Sequence, residues 1–286
     1  MKDYITLRKQ YTDFIYHGWE IDETDTSFTI TYAFEIVGLQ SFHPTFTLPK
    51  PHNHSPYMQA RIFHEAVFSL GMVELISYWK ITGAPRVHIA CGHLDETQKA
   101  WWKKLYFHGL GEYFHINHIP LDPQGFMEII SEGRPQTGTD WFPEVKGNLI
   151  PVGGGKDSFV TLDVLSPYKK DNLAFIINPV ISAVNSAHAA GYEEGKDLLI
   201  AQRTLDPLML ELNRQGYLNG HTPFSAMVAF ATYLTAFVHG RKYITLSNES
   251  SANESTIKGS TVNHQYSKTF EFEQDFHTYS HAYLRD

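Results

Sequence analysis

The stretch "LIPVGGGKDSFVTLDVL" (149–165) decides the fold of this 286-residue chain. A short apolar strand runs into three glycines. Lys156, Asp157 and Ser158 follow, and then a helix begins. Strand, glycine turn and helix in this order make the start of a parallel α/β unit, in which ligands bind beyond the carboxyl ends of the strands. Glycine permits positive φ and close backbone approach. The helix that follows offers free N–H groups and a partial positive charge, which suits phosphate oxygens. An ordinary strand-to-helix turn does not need three glycines in a row, so the loop reads as a phosphate site.

Downstream, "LAFIINPV" reads as a second strand, and a helix is expected from about residue 192. "FSAMVAFATYLTAFV" (224–238) reads as a helix that is apolar nearly all round and therefore buried. Thr222 and Pro223 are suited to start it and Gly240 to stop it. "KYITLSNE" (242–249) reads as a further strand. Alternating strands and helices predict a mostly parallel sheet with helices on both faces. Upstream, residues 25–50 read as two strands with a turn near Gly38, and residues 58–82 as a helix stopped by "TGAP". "RVHIACG" (86–92) reads as a strand, 95–111 as a helix and "EYFHINHIPLD" as another strand. The turn-rich "SEGRPQTGTDWFPEVKG" (131–147) places a boundary between an N-terminal α/β domain, 1–140, and a second α/β domain, 141–286.

Composition narrows the function. Hydrophobic residues make up 42% and charged residues 19%, as in a globular protein. The net charge of −8 argues against nucleic acid as the main partner. The single cysteine, Cys91, excludes an internal disulfide. The N-terminus lacks the apolar core of a signal peptide, and the most apolar window is too short to span a bilayer. A cytoplasmic protein with no membrane partner is expected. "HNH" (52–54) and "HINH" (115–118) have no cysteine or carboxylate at ligand spacing, so they read as ordinary histidines rather than a metal site.

The loop is not a Walker A motif. With Gly155-Lys156 as its GK pair, the first glycine would fall on Ile150, and Asp157 stands where Ser or Thr is needed. A dinucleotide fingerprint fits only in part, because Ser158 takes the place of its third glycine and "FIINPV" lacks an acidic residue. The loop resembles instead the S-G-G-x-D-S loop of the N-type, or PP-loop, ATP pyrophosphatases. Gly154, Gly155, Asp157 and Ser158 match, and Gly153 stands where that superfamily has serine. The resemblance implies that Gly153, Gly154, Gly155, Lys156, Asp157 and Ser158 hold the phosphates of ATP. It also implies that Asp157 lies beside Mg2+ and that ATP is cleaved between its α and β phosphates.

A polar block, "LSNESSANESTIKGSTVNHQYSKTFEFEQDF" (246–276), follows the last apolar strand and should open on the same rim. Taken with "AFEIVGLQSFHPTFTLP" and "GMVELISYWK" upstream, the chain is similar from about residue 30 onward to the MurL-type UDP-N-acetylmuramoyl-L-alanyl-L-glutamate epimerases. That resemblance implies ATP-dependent inversion of the terminal L-glutamate of UDP-N-acetylmuramoyl-L-alanyl-L-glutamate, through an acyl-adenylate, in peptidoglycan precursor synthesis. It also implies a helical, cysteine-containing segment beyond the position of Asp286, so the chain reads as a C-terminally truncated form. Asn248 and Glu249 are expected on nucleotide or Mg2+. His264, Lys268 and Tyr266 are the candidates for moving the α-proton; a histidine side chain is in general near the right pKa range, and Lys268 would serve if desolvated or would simply hold phosphate or a carboxylate. Two alternatives remain open at this stage. One is another adenylate-forming PP-loop ligase, amidase or thiolase, and the other is a protein that binds ATP without cleaving it.

Overall fold

The computed structural model describes residues 2–51, 55–248 and 266–284. The chain opens with helix α1 (Tyr4–Gln10), whose N-cap Asp3 accepts from the Thr6 amide at 2.8 Å. Strands β1 (Asp13–Glu23), β2 (Ser27–Ile36), β3 (Gln40–Phe42) and β4 (Thr45–Pro49) follow as an antiparallel meander. β2 alternates buried and half-buried residues along its whole length, as a strand with one packed face must. Residues 25–50 thus hold three strands where two are expected, and the turn at Gly38 has φ +79°. The long α2 (Arg61–Trp79) is buried nearly all round. Strand β5 (Arg86–Ile89) and helix α3 (Glu96–Gly109) lie as read, and α3 starts in a capping box between Asp95 and Gln98.

The segment read as a strand at "EYFHINHIPLD" is instead helix α4 (Gly111–Ile116). Tyr113 and Phe114 are adjacent and both buried, which a half-exposed strand would not allow. Their rings pack on Trp79, Phe107 and Phe126. Burial of this aromatic group overrides the local pattern.

The second half runs β6 (Glu128–Ser131), β7 (Asn148–Pro151), α5 (Lys156–Val164), β8 (Leu173–Ile177), α6 (Ile181–Ala189), β9 (Leu198–Thr204), α7 (Pro207–Arg214), α8 (Phe224–Val238), β10 (Tyr243–Ile244) and α9 (Phe270–Tyr279). The helix expected from about residue 192 lies earlier, at 181–189. Gly191 (φ +80°) and Gly195 (φ +74°) turn the chain instead of continuing a helix. Helix α8 matches its expected span, but its N-cap is Pro223 and no side chain caps it.

Among the described residues the strands make one ten-stranded sheet, ordered β10-β7-β8-β9-β4-β2-β1-β5-β6, with β3 paired to β2. β10, β7, β8 and β9 are mutually parallel. β4 joins this parallel part to the meander by antiparallel pairing with β9, Thr45 opposite Thr204. Two cores follow from the alternation along β7, β8 and β9. Leu149, Phe175 and Ala201 face α2 and α8 in a large aromatic core. Ile150, Val152, Ala174, Ile176 and Leu198 face α5 and α6 in a small one. The helices therefore cover both faces of the parallel part.

Candidate functional site

The order β9-β8-β7-β10 contains a reversal. From β7 the chain moves outward through α5 to β8 and α6 to β9. It then returns by α8, across the other face, to β10 on the far side of β7. The strand order switches direction at β7 and β10, and open α/β sheets bind ligands at such a switch. The glycine loop leaves β7 at that point.

The loop is built for backbone contact. Val152 is still in the sheet, its amide donating to the Phe175 carbonyl at 2.8 Å. Gly154 has φ +81°, and a Cβ there would come within 2.5 Å of Ser182 Oγ and the Ala183 nitrogen. Only glycine fits. A Cβ on Gly153 or Gly155 would meet nothing within 4 Å, so those two residues border open space.

Two helix starts converge here. No side chain caps α5, and the first amide to bond back onto it is that of Phe159, on the Gly155 carbonyl at 3.3 Å. α6, whose N-terminal turn touches Gly154, also has no side-chain cap; its first internal bond runs from Ala183 to Val180 at 3.0 Å. Helix starts without side-chain caps, one at the loop and one touching it, favour an anion there. The sequence points to only one of these helix starts, because the contact between Gly154 and α6 is not local.

Next to the loop, Asn178 takes φ +50° at the end of β8. Its side chain bridges to the backbone of Arg203, accepting from the amide at 2.7 Å and donating to the carbonyl at 3.0 Å. This extends the β8–β9 pairing past the point where Pro179 cannot donate, and sets the approach to α6.

The remaining expected site residues divide. Lys156 is exposed and Asp157 half-buried on the first turn of α5. Ser158 is buried, its hydroxyl donating to the Gly155 carbonyl at 2.9 Å, so it braces the loop from beneath. Asn248 is exposed, just after Thr245, whose amide donates to the Leu149 carbonyl at 3.0 Å beside β7. Glu249 and His264 lie outside the described residues. Tyr266 and Lys268 form a short 3-10 turn packed with α9 on α3 and α8. Tyr266 is buried and donates to Asp275; burial and that carboxylate push its phenol pKa up. Lys268 is exposed and therefore not the desolvated lysine its expected role requires.

No three His, Cys, Asp or Glu among the described residues cluster as a metal site. No described helix is long and apolar enough to cross a membrane. A groove of about 550 Å³ lies at the opposite, amino end of β7 and β10, lined by Trp141, Phe142, Lys146, His239 and Arg241. It is remote from the loop along the strands.

Comparison with known proteins agrees along most of the chain. A family model described as the MurL N-terminal domain matches residues 5–286. The UDP-N-acetyl-alpha-D-muramoyl-L-alanyl-L-glutamate epimerase of Salinispora tropica is 34% identical over 241 residues, covering 82% of this chain and 51% of the relative. Its namesake from a Micromonospora species is 33% identical over 244 residues, 82% and 52%. That of Xanthomonas oryzae pv. oryzae is 31% identical over 225 residues, 77% and 48%. The chain thus spans about half the length of the curated relatives it matches. No solved structure matches.

Proposed function

The chain belongs to the MurL N-terminal domain family, and from that premise we propose that it handles ATP in an epimerase acting on UDP-N-acetylmuramoyl-L-alanyl-L-glutamate. The activity for which the relatives are named supplies the substrate and the inversion. The observation that carries the nucleotide part is the glycine loop at the strand-order switch, open over Gly153 and Gly155 and flanked by two uncapped helix starts. That geometry fits a polyphosphate and agrees with the resemblance to the PP-loop ATP pyrophosphatases.

The chemistry gives a reason for ATP. Removing the α-proton of a glutamate builds carbanion charge beside a carboxylate that is already charged. Adenylating that carboxylate with release of pyrophosphate neutralises it and lets the carbonyl spread the charge as an enolate. Each ~1.4 kcal/mol taken off the barrier is worth about tenfold in rate. Proton return from the opposite face and hydrolysis of the adenylate give the D-glutamyl product and AMP. In this reading the loop amides from Gly153 to Ser158 bind the phosphates. Asp157, on the first turn of α5, would hold Mg2+ together with phosphate oxygens, the usual way Mg2+ is held with few protein carboxylates. The metal would supply charge neutralisation on the phosphates. Asn248, four residues past the end of β10, would contact the nucleotide in this reading, and we extend that role to Glu249. His264 remains the candidate for proton transfer that the sequence offers, and the exposed Lys268 would serve to hold a phosphate or a carboxylate instead.

The test is ATP binding and AMP release. Wild type should bind Mg-ATP and release AMP only when the UDP-linked dipeptide is present, and the recovered glutamate should be D. Asp157→Ala should keep its fold and lose AMP formation. Wild-type rates of AMP release in that variant would sink the loop assignment, and L-glutamate alone in the product would sink the epimerase.

A further inference from the structure

The groove at the amino end of β7 and β10 is a concave feature that the reading above does not use. Its free volume of about 550 Å³ lies within the range of small-ligand sites, roughly 300–1,000 Å³. Its walls come from separate parts of the chain: the connection between β6 and β7, the end of α8 and the turn before β10. One wall is aromatic. Trp141 is half-buried and meets Phe237 nearly at right angles, with ring centroids 5.8 Å apart and planes at 86°. Among the described residues no ring stacks face to face on Trp141. Phe142 leans on Phe237 as well, at 69°. Phe237 thus fixes two aromatic side chains of a turn-rich segment at the groove.

The other wall is cationic. Arg241 is half-buried; its Nε donates to the His239 carbonyl at 3.0 Å and its Nη1 to the Asp171 carbonyl at 2.8 Å. Those bonds fix the plane of the guanidinium without bringing it a carboxylate, and among the described residues its Nη2 makes no hydrogen bond. Burial pulls the Arg241 pKa down, and the charge on Asp171 opposes this only in part. The Asp171 carboxylate is held by Lys146 at 3.1 Å. Lys146 is 68% exposed, and an exposed pair is worth little, so its ammonium can turn to a ligand at small cost. Glu144 also lines the groove, but it is exposed.

An aromatic face beside two cations suits a base joined to a phosphate chain, with the base on the ring and the phosphates on the guanidinium and ammonium. The groove and the glycine loop lie at opposite ends of β7, a strand of four residues, so they are separated by roughly 13 Å at ~3.3 Å per residue. A ligand whose diphosphate is separated from its reacting carboxyl by a sugar and two amino acids covers a distance of that order. Among the described residues β10 is the edge of the sheet, with Tyr243 and Leu246 exposed on and just after it, so no further strand closes the path between the two ends.

We propose that this groove is a second nucleotide site, in which Trp141 stacks the base and Arg241 and Lys146 take the diphosphate of a nucleotide-linked substrate. Taking the base as uracil rests on the function proposed above.

The test reads binding without turnover, so a failure of the adenylation reading leaves it intact. The five tryptophans are replaced by fluorotryptophan, and the Trp141 signal in the fluorine NMR spectrum is the one missing from Trp141→Leu. UDP should move that signal, and an equal concentration of Mg-ATP should not reverse the shift. Arg241→Gln should bind UDP about tenfold more weakly and leave uridine binding unchanged. Lys146→Gln, a change on an exposed side chain, should weaken UDP binding about threefold, which decides the question should Arg241→Gln fail to fold. A Trp141 signal that UDP leaves in place, a shift that Mg-ATP reverses, or undiminished UDP binding by Lys146→Gln overturns the proposal.

Discussion

The two faces of the parallel part of the sheet are covered very differently. On one, α2 buries sixteen of its nineteen residues and α8 twelve of its fifteen. On the other, α5 buries only Ser158 and Leu162, and α6 only Ala183 and Ala187. Val160, Val164 and Ile181 stay exposed on the thin side. The thick face is shared by both halves of the chain, because α2 comes from one and α8 from the other, and it sets the positions of the strands. The thin face presents helix starts and loop amides at the rim. The difference teaches that stability and the proposed nucleotide site draw on opposite sides of one sheet.

The largest effect expected from breaking this contrast is at the Glu74–Arg203 pair on the thick face. Glu74→Leu leaves the half-buried Arg203 and the buried Lys80 without an anion and should cost about 3–5 kcal/mol in urea denaturation. Adding Arg203→Met should recover much of the loss. A double variant no better than the single one would mean that the cost lies in packing rather than charge.

The next comparison sets one core against the other. Phe230 on α8 packs against Trp101, Trp102, Phe276 and Tyr279, and Phe230→Ala should cost about 3–4 kcal/mol. Leu162→Ala beneath α5 should cost about 2 kcal/mol, because a thin layer can close onto the space. Equal losses would erase the distinction between the faces.

The smallest effects sharpen the thin side. Gly154→Ala should cost about 1–3 kcal/mol and weaken Mg-ATP binding, since its Cβ meets α6 and its φ is left-handed. Gly153→Ala should change stability by less than about 0.5 kcal/mol, because nothing lies in its way. Thermal melts of the pair, with and without Mg-ATP, check both. A costly Gly153→Ala would show that the open space over the loop is not real.

Much of the fold was legible because its signals are local. Glycines after an apolar run, the all-round apolar 224–238 segment and the alternation in 27–36 each state their structure within a few residues. The readings that failed did so where distant contacts outweighed local pattern. Tyr113 and Phe114 are drawn into a helix by Trp79, Phe107 and Phe126, and Gly191 and Gly195 end a run that otherwise looks helical. The candidate site shows the same split: the glycine loop stands in the sequence, whereas the α6 start that abuts Gly154 does not.

From its sequence alone this chain determined a strand–glycine turn–helix unit, a parallel arrangement around it and kinship with an epimerase family. Those follow from backbone conformational limits and side-chain periodicity, which act over a few residues. Tertiary structure alone decided that β4 joins β9, that the strand order reverses at the glycine loop, and that Lys80, not Lys268, is the buried lysine. Burial and charge pairing are sums over neighbours brought from far along the chain. A lysine's spacing says nothing of them until the helix that carries it is packed.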